Sequence, residues 1–136
     1  MPLLTVTLTG SVDARRSAAT AAILTELTQK HLGKDPALTA VAIRYLDPDH
    51  WFIGGEAMSR RNADSFSLDI KVTEGTNTKP QIAAYVDAVF AAMAGLLDGV
   101  REESYVVVHE VAAASWGFGG KTQEFRFIAG KLAPAA

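Results

Sequence analysis

The sequence predicts an α/β (α+β) fold in which two tandem β-α-β units form one four-stranded sheet with two helices on one face. Three observations lead to this prediction: each half begins with period-two hydrophobicity, continues with helical periodicity, and contains residues that recur 65 positions later. The segment Trp51–Gly55 (WFIGG) recurs as Trp116–Gly120 (WGFGG), and Gly10 recurs as Gly75. One offset that is shared by different elements indicates duplication rather than coincidence.

We therefore expect a single domain over residues 1–136, made of two repeats at about 2–56 and 66–120. The pair Arg60-Arg61 lies between them and is expected to belong to a solvated linker.

The first half has the pattern of a strand, a helix and a strand. Leu4, Val6 and Leu8 alternate with threonines, as in a half-buried strand. Asp13 is placed to cap a helix, and Gly33 to end it. The predicted apolar stripe of this helix contains Ala19, Ile23, Leu24 and Leu27. The second strand carries Val41, Ile43 and Tyr45.

The second half repeats this order more clearly. Its strand alternates from Phe66 to Val72, and Thr78 and Gln81 have the spacing of a capping box at the start of the helix. The helical stripe contains Ile82, Val86, Val89, Phe90, Met93 and Leu97. The last strand, Tyr105–Val111, has apolar residues at successive positions, which predicts burial on both faces.

The connections determine how these elements pack. A strand-helix-strand unit of this length is a right-handed crossover, so its two strands should be parallel. With both helices on one face of the sheet, the other face, which carries threonines and Lys71, needs a cover. We therefore expect the chain to form an oligomer.

Composition excludes several classes of protein. The net charge of −2 offers no basis for nucleic-acid binding, and the absence of cysteine excludes disulfides and thiolate metal sites. The three histidines share no metal-ligand spacing, and no apolar run is long enough to span a bilayer. The first ten residues lack the pattern of a signal peptide, so a cytoplasmic location is expected.

The first half begins with Met-Pro before a strand and continues with a glycine after it, one helix, a second strand and an aromatic residue before Ile-Gly-Gly. This order resembles the 4-oxalocrotonate tautomerase unit. The stretch from Trp116 to Phe125 is also similar to the corresponding part of malonate semialdehyde decarboxylases, a fused branch of the same superfamily. The resemblance covers nearly the whole chain. It implies a tautomerase/MIF-like fold and a homotrimer in which each subunit supplies two units.

Pro2 is the predicted catalytic residue. Removal of Met1 would leave a secondary amine at the start of a buried strand, and modest desolvation would keep that amine neutral at physiological pH. A neutral amine is a base matched to general acid–base catalysis. No metal or organic cofactor is implied.

The predicted substrate-binding residues comprise cations, a tyrosine and aromatic walls. The family usually places arginine where this chain has Ser11 and Thr76, and on a strand at a position near Ala42. Arg44, on the same strand face as Ala42, could substitute for the strand arginine, and Lys71 is a further cation that could reach the pocket. Tyr105 is a candidate donor to an enolate oxygen. Other cations that could reach the pocket are Arg15, Lys79 and Arg126. The wall of the pocket is assigned to Trp116, Phe118 and Phe125, which could equally fill a subunit interface.

The predicted function is that of an isomerase, a tautomerase that moves a proton between carbon and oxygen of a small 2-oxo or enol acid. Decarboxylation of the malonate semialdehyde type, hydration or dehalogenation of a short acid is the first alternative. The second is a non-catalytic oligomeric binding protein on the same fold.

Overall fold

The computed structural model describes residues 1–134 and contains one four-stranded sheet. The first strand, β1 (Leu3–Thr9), lies between β2 (Ala40–Leu46), to which it is parallel, and β5 (Phe66–Thr73), to which it is antiparallel. The fourth strand, β6 (Tyr105–Val111), is parallel to β5 and forms the other edge. This arrangement confirms the predicted sheet and the parallel pairing within each unit.

Two long helices, α1 (Ala14–Leu32) and α2 (Lys79–Leu96), pack against each other on one face of the sheet. Asp13 caps α1 by accepting hydrogen bonds from two backbone amides of its first turn. Thr78 and Gln81 form the predicted capping box at the start of α2. Both helix starts were therefore predictable, because a cap depends on local chain geometry alone.

The core lies between the helices and the sheet. Its fully buried members on the strands are Leu4, Val6, Leu8, Phe66, Leu68 and Ile70, and on the helices they include Leu24, Tyr85, Val89 and Met93. The strand alternation predicted the buried positions on the strands, because successive side chains of a strand point to opposite faces. Full burial of one such side chain contributes about 1.5–3 kcal/mol.

The predicted stripe of α1 is wrong by one residue at its first position. Ala19 is exposed, and the buried line consists of Thr20, Leu24, Thr28 and Leu32. Thr28 can replace an apolar residue here because its hydroxyl is satisfied internally, whereas the buried Thr20 hydroxyl has no partner among the described residues. The Thr28 hydroxyl donates to the Leu24 carbonyl (2.7 Å) and also meets the hydroxyl of Tyr85 on α2 (2.9 Å). Burial raises the pKa of Tyr85 to about 12, so this hydroxyl is neutral.

The opposite face of the sheet is open in the single chain. Tyr105 and Val107 of β6 are 56% and 43% exposed, whereas Val106 and Val108 pack against the core. Within the single chain, the prediction that β6 is buried on both faces is therefore wrong. Because apolar residues occupy successive positions of β6, its apolar side chains that do not face the helices are exposed on the open face of the sheet.

Each unit ends in a short hairpin with a Gly-Gly turn. The first hairpin consists of β3 (Phe52–Ile53) and β4 (Glu56–Ala57), and the second of β7 (Gly117–Phe118) and β8 (Lys121–Thr122). The turn glycines adopt left-handed φ angles of 59° and 77° in the first hairpin and 59° and 78° in the second. Such angles favour glycine in both hairpins.

A third helix, α3 (Gln123–Leu132), follows the second hairpin and was not predicted. The Thr122 hydroxyl caps it by accepting from the Phe125 amide (2.9 Å). Phe125, Ile128 and Leu132 have the spacing of a helix face, and together with this cap they are the sequence signal that could have revealed it.

The two hairpins share an arginine contact at the same offset of 65 residues. Arg61 donates through Nη2 to the Ile53 carbonyl (3.3 Å), and Arg126 donates through Nη2 to the Phe118 carbonyl (3.0 Å). This correspondence supports the proposal that the chain is a duplicated unit. Arg61 is also half-buried and paired with Glu56 (3.4 Å), so its assignment to a solvated linker is wrong.

Candidate active site

The amino terminus lies next to the carboxyl end of β5, the first strand of the second unit. Pro2 is buried, and its carbonyl accepts a hydrogen bond from the Ala40 amide (3.2 Å). Because β1 is antiparallel to β5, Leu3 is paired with Lys71 near the carboxyl end of β5. The first residues of the chain therefore face the loop between β5 and α2.

A cleft of about 560 Å³ opens at this point. It is lined by Met1, Thr73, Thr76, Ala113, Gln123, Glu124, Arg126 and Phe127. Met1 comes from the first unit, whereas the other lining residues follow β5 and β6 or belong to α3. The cleft thus combines the amino terminus of one unit with walls from the other.

Lys34 places a cation beside the amino terminus. Helix α1 ends at Gly33, whose φ of 67° turns the chain out of the helix. The Lys34 ammonium donates to the Thr76 hydroxyl (2.8 Å) at the edge of the cleft. Burial, and secondarily the charge of Lys34, lowers the pKa of the terminal amine below its ordinary value. Both effects disfavour the protonated amine.

Burial also lowers the pKa of Lys34 itself. Sequence reasoning missed this residue, since its only signal is a lysine directly after a helix-ending glycine. Its proximity to the amino terminus depends on how the end of α1 packs against the loop that follows β5.

Arg126 is a second cation of the cleft and is held in one orientation. Its Nε and Nη2 atoms donate to the Phe118 carbonyl at 3.2 and 3.0 Å. The guanidinium carbon lies 3.7 Å from the centroid of the Phe118 ring, which is the geometry of a cation–π interaction. Arg126 is one of the cations that the sequence offered for the pocket, and the fold brings it to the cleft.

Arg44 and Tyr105 lie towards the other end of the sheet from the amino terminus. Arg44 pairs with Thr7, and Tyr105 pairs with Ser67, which is also paired with Thr7. Thr7 is four residues beyond Leu3, a distance of about 13 Å along a strand. Both side chains are exposed, and neither lines the cleft of its own chain. Their predicted roles require the cleft of a neighbouring copy.

The remaining predicted residues are distributed around the cleft. Lys71 is exposed on the strand next to Leu3. Trp116 and Phe118 are half-buried in the second hairpin, where they line a separate groove of about 400 Å³. Phe125 is 53% exposed on the outer side of α3. Of these four residues, Phe118 contacts the cleft indirectly, through Arg126.

Within residues 1–134, no helix combines the length and hydropathy needed to cross a bilayer. The same residues contain no group of three or more histidine, aspartate or glutamate side chains arranged to hold a metal ion.

Comparison with known proteins identifies the second unit most directly. The family model described as tautomerase enzyme matches residues 67–126. A probable tautomerase K2 of Dickeya dadantii (strain 3937) is 37% identical over 62 residues, which cover 45% of this chain and 92% of the relative. The family match begins at Ser67, the position 65 residues after Pro2. The unit that matches the family model therefore has serine at the position 65 residues after Pro2.

Solved structures resemble the whole chain. A native fused 4-OT is 24% identical with a TM-score of 0.80, covering 90% of this chain and 97% of its own. An FG41 malonate semialdehyde decarboxylase is 16% identical with a TM-score of 0.73, covering 98% and 99%. These likenesses show a common fold, which the sequence resemblance had predicted. On the curated relative, the family match and this fold, the chain belongs to the tautomerase superfamily.

Proposed function

We propose that this protein is a cofactor-independent tautomerase in which Pro2, freed by removal of Met1, transfers a proton between carbon and oxygen of a small 2-oxo or enol acid. The observation that carries the proposal is the position of the amino terminus. It is partly buried, the pKa of the Met1 amine is lowered, and the cleft around it is lined by Arg126 and bordered by Lys34.

The chemistry follows from the state of the amine. Burial and the charge of Lys34 lower the pKa of the Met1 amine, and Pro2 is itself buried, so we expect burial to favour the neutral form of the proline amine once Met1 is removed. The neutral amine accepts the hydroxyl proton of the enol. The resulting ammonium returns a proton to the carbon as the carbonyl forms. Proline suits this role because its ring restricts the movement of the nitrogen.

The cations of the cleft give the substrate its orientation. Lys34 and Arg126 approach from different elements and would bind the carboxylate of the acid. In an oligomer, Arg44 and Tyr105 on the open face would extend into the cleft of a neighbouring copy. We propose a homotrimer, an assembly that solved relatives of this fold such as the R7 fused 4-OT asymmetric trimer adopt.

The proposal is tested with untagged protein that intact mass shows to lack Met1. Ketonisation of phenylenolpyruvate and 2-hydroxymuconate should proceed, and Pro2→Ala should lower kcat/KM by about 100-fold. Protein that retains Met1 should be inactive, because an acylated proline nitrogen is an amide and has no basic lone pair. Ser67→Ala, at the equivalent position of the other unit, is the matched control and should leave turnover unchanged.

Turnover that survives both Pro2→Ala and retention of Met1 would mean that another group is the base. A processed protein that binds these acids without turning them over would instead be the non-catalytic member of the superfamily.

Decarboxylation of a short 3-oxo acid is the second candidate. It is favoured by one observation: Glu124 lines the same cleft as Arg126 and the amino terminus. Loss of carbon dioxide leaves an enolate, which the two cations would stabilise while Glu124 orients the substrate beside them. Release of carbon dioxide from malonate semialdehyde, lost in Glu124→Gln while ketonisation persists, would assign this activity to the cleft.

A further inference from the structure

Gln123 lines the cleft, and its side-chain amide is an unpaired donor. Gln123 is 9% exposed, and its Nε2 atom is buried without a hydrogen-bond partner among the described residues. An unpaired buried polar group is destabilising, and most buried amides in proteins have partners. Gln123 lines the same cleft as Met1, so removal of Met1 would enlarge the space beside this amide.

The corresponding position in the first unit is apolar. Met58 lies 65 residues before Gln123, and the two backbones are held alike. The Met58 amide donates to the Trp51 carbonyl (2.8 Å), and the Gln123 amide donates to the Trp116 carbonyl (3.0 Å). Met58 is 1% exposed, so a methionine fills the equivalent site of the first unit. Packing alone therefore does not require glutamine at position 123.

Three backbone donors at the start of α3 are already used. The Gln123 amide is bound to Trp116, the Glu124 amide donates to the Ala113 carbonyl (3.0 Å), and the Phe125 amide donates to the Thr122 hydroxyl. Among the described residues, the side-chain amide of Gln123 is thus left without a partner where these backbone groups are paired.

Building on the proposed function, we infer that Gln123 donates a hydrogen bond from Nε2 to the 2-oxo oxygen of the substrate and stabilises the enolate that develops there. Lys34 and Arg126 bind the carboxylate, and Gln123 supplies a neutral donor for the adjacent oxygen. A neutral, buried donor suits this oxygen because it strengthens as negative charge develops and needs no reorganisation.

Gln123→Met tests the inference, since it installs the residue that the first unit already accommodates. In protein lacking Met1, we expect kcat for phenylenolpyruvate to fall by about 100-fold, as when one oxyanion donor is removed. Binding separates this role from the chemistry of Pro2. Gln123→Met should weaken phenylpyruvate about fivefold, because a neutral hydrogen bond is lost, and leave 3-phenylpropanoate, which lacks the 2-oxo oxygen, unchanged.

The binding comparison is repeated in the Pro2→Ala background. A selective loss of phenylpyruvate there supports Gln123 even if Pro2 proves not to be the base. Equal weakening of both acids, or no weakening of either, would overturn the inference.

Stability provides a second, independent measurement. An unpaired buried donor lowers the stability of the free protein, so Gln123→Met should unfold at the same or a higher temperature. If the variant instead unfolds at a lower temperature, the amide has a structural partner in the assembled protein and the inference is wrong.

Discussion

The turn glycines Gly54 and Gly119 form a natural matched pair for testing the role of Arg126. They occupy equivalent positions in the two hairpins and have the same φ of +59°. A Cβ at Gly54 would meet no atom within 4 Å, whereas a Cβ at Gly119 would lie 2.7 Å from Nη2 of Arg126. Gly54→Ala therefore introduces backbone strain alone, and Gly119→Ala introduces the same strain and displaces a guanidinium.

The expected magnitudes follow from these contacts. Alanine in the left-handed region costs about 1–2 kcal/mol, which both variants share. The guanidinium end of a long side chain can move, so Gly119→Ala additionally loses the bonds from Arg126 to Phe118 rather than creating a fixed clash. Hydrogen bonds from a charged donor contribute about 1.5–3 kcal/mol when buried, and the cation–π contact about 0.5–1 kcal/mol. Because Arg126 is half-exposed, we expect a difference of about 1–2 kcal/mol between the variants.

The assay is denaturant unfolding of both variants at one fixed protein concentration, since oligomerisation shifts apparent stability. The kcat/KM for phenylenolpyruvate is measured beside it. Gly119→Ala should lower kcat/KM about tenfold, the equivalent of about 1.4 kcal/mol, and Gly54→Ala should leave it within about twofold. Equal losses of stability and activity in the two variants would refute the assignment of Arg126 to the cleft.

Two further predictions concern charge and the core. Lys34→Met should move the acidic limb of the pH profile of kcat/KM to higher pH, because the amine is active when neutral and loses the cation that lowers its pKa. Lys30→Met is the control, since Lys30 is an exposed lysine near the end of the same helix. An acidic limb that does not move in Lys34→Met would contradict this effect. Tyr85→Phe should lower the free energy of unfolding by about 1 kcal/mol, because Thr28 keeps its bond to the Leu24 carbonyl when the tyrosine hydroxyl is lost. A loss of about 3 kcal/mol or more, which is typical of a cavity, would show that the hydroxyl does more than join the two helices.

The strands, the two long helices and their caps could be predicted because they depend on neighbours along the chain. The alternation from Leu4 to Leu8 and the capping residues Asp13 and Thr78 act over a few residues, and the structure has them as expected. The predicted apolar stripe of α1 named the exposed Ala19 instead of Thr20 and left out Thr28, whose hydroxyl can be buried because a distant partner satisfies it. That partner, Tyr85, is 57 residues away in the chain.

The sequence also led to the superfamily and to Pro2 as the candidate base, since both rest on motifs and their order. The composition of the cleft came from long-range packing. Antiparallel pairing of β1 with β5 brings the amino terminus to Thr73, the end of α1 places Lys34 against Thr76, and α3 supplies Gln123.

Arg44 and Tyr105 were predicted for the site, but they do not line the cleft of their own chain. Their residue types suggested a role in binding, yet strand register places them about 13 Å along the sheet from the start of β1. A side chain's chemistry is a local property and can be read residue by residue. Which side chains share a cleft depends on register and packing between segments that are far apart in the chain, where a shift of one residue changes the face of every side chain.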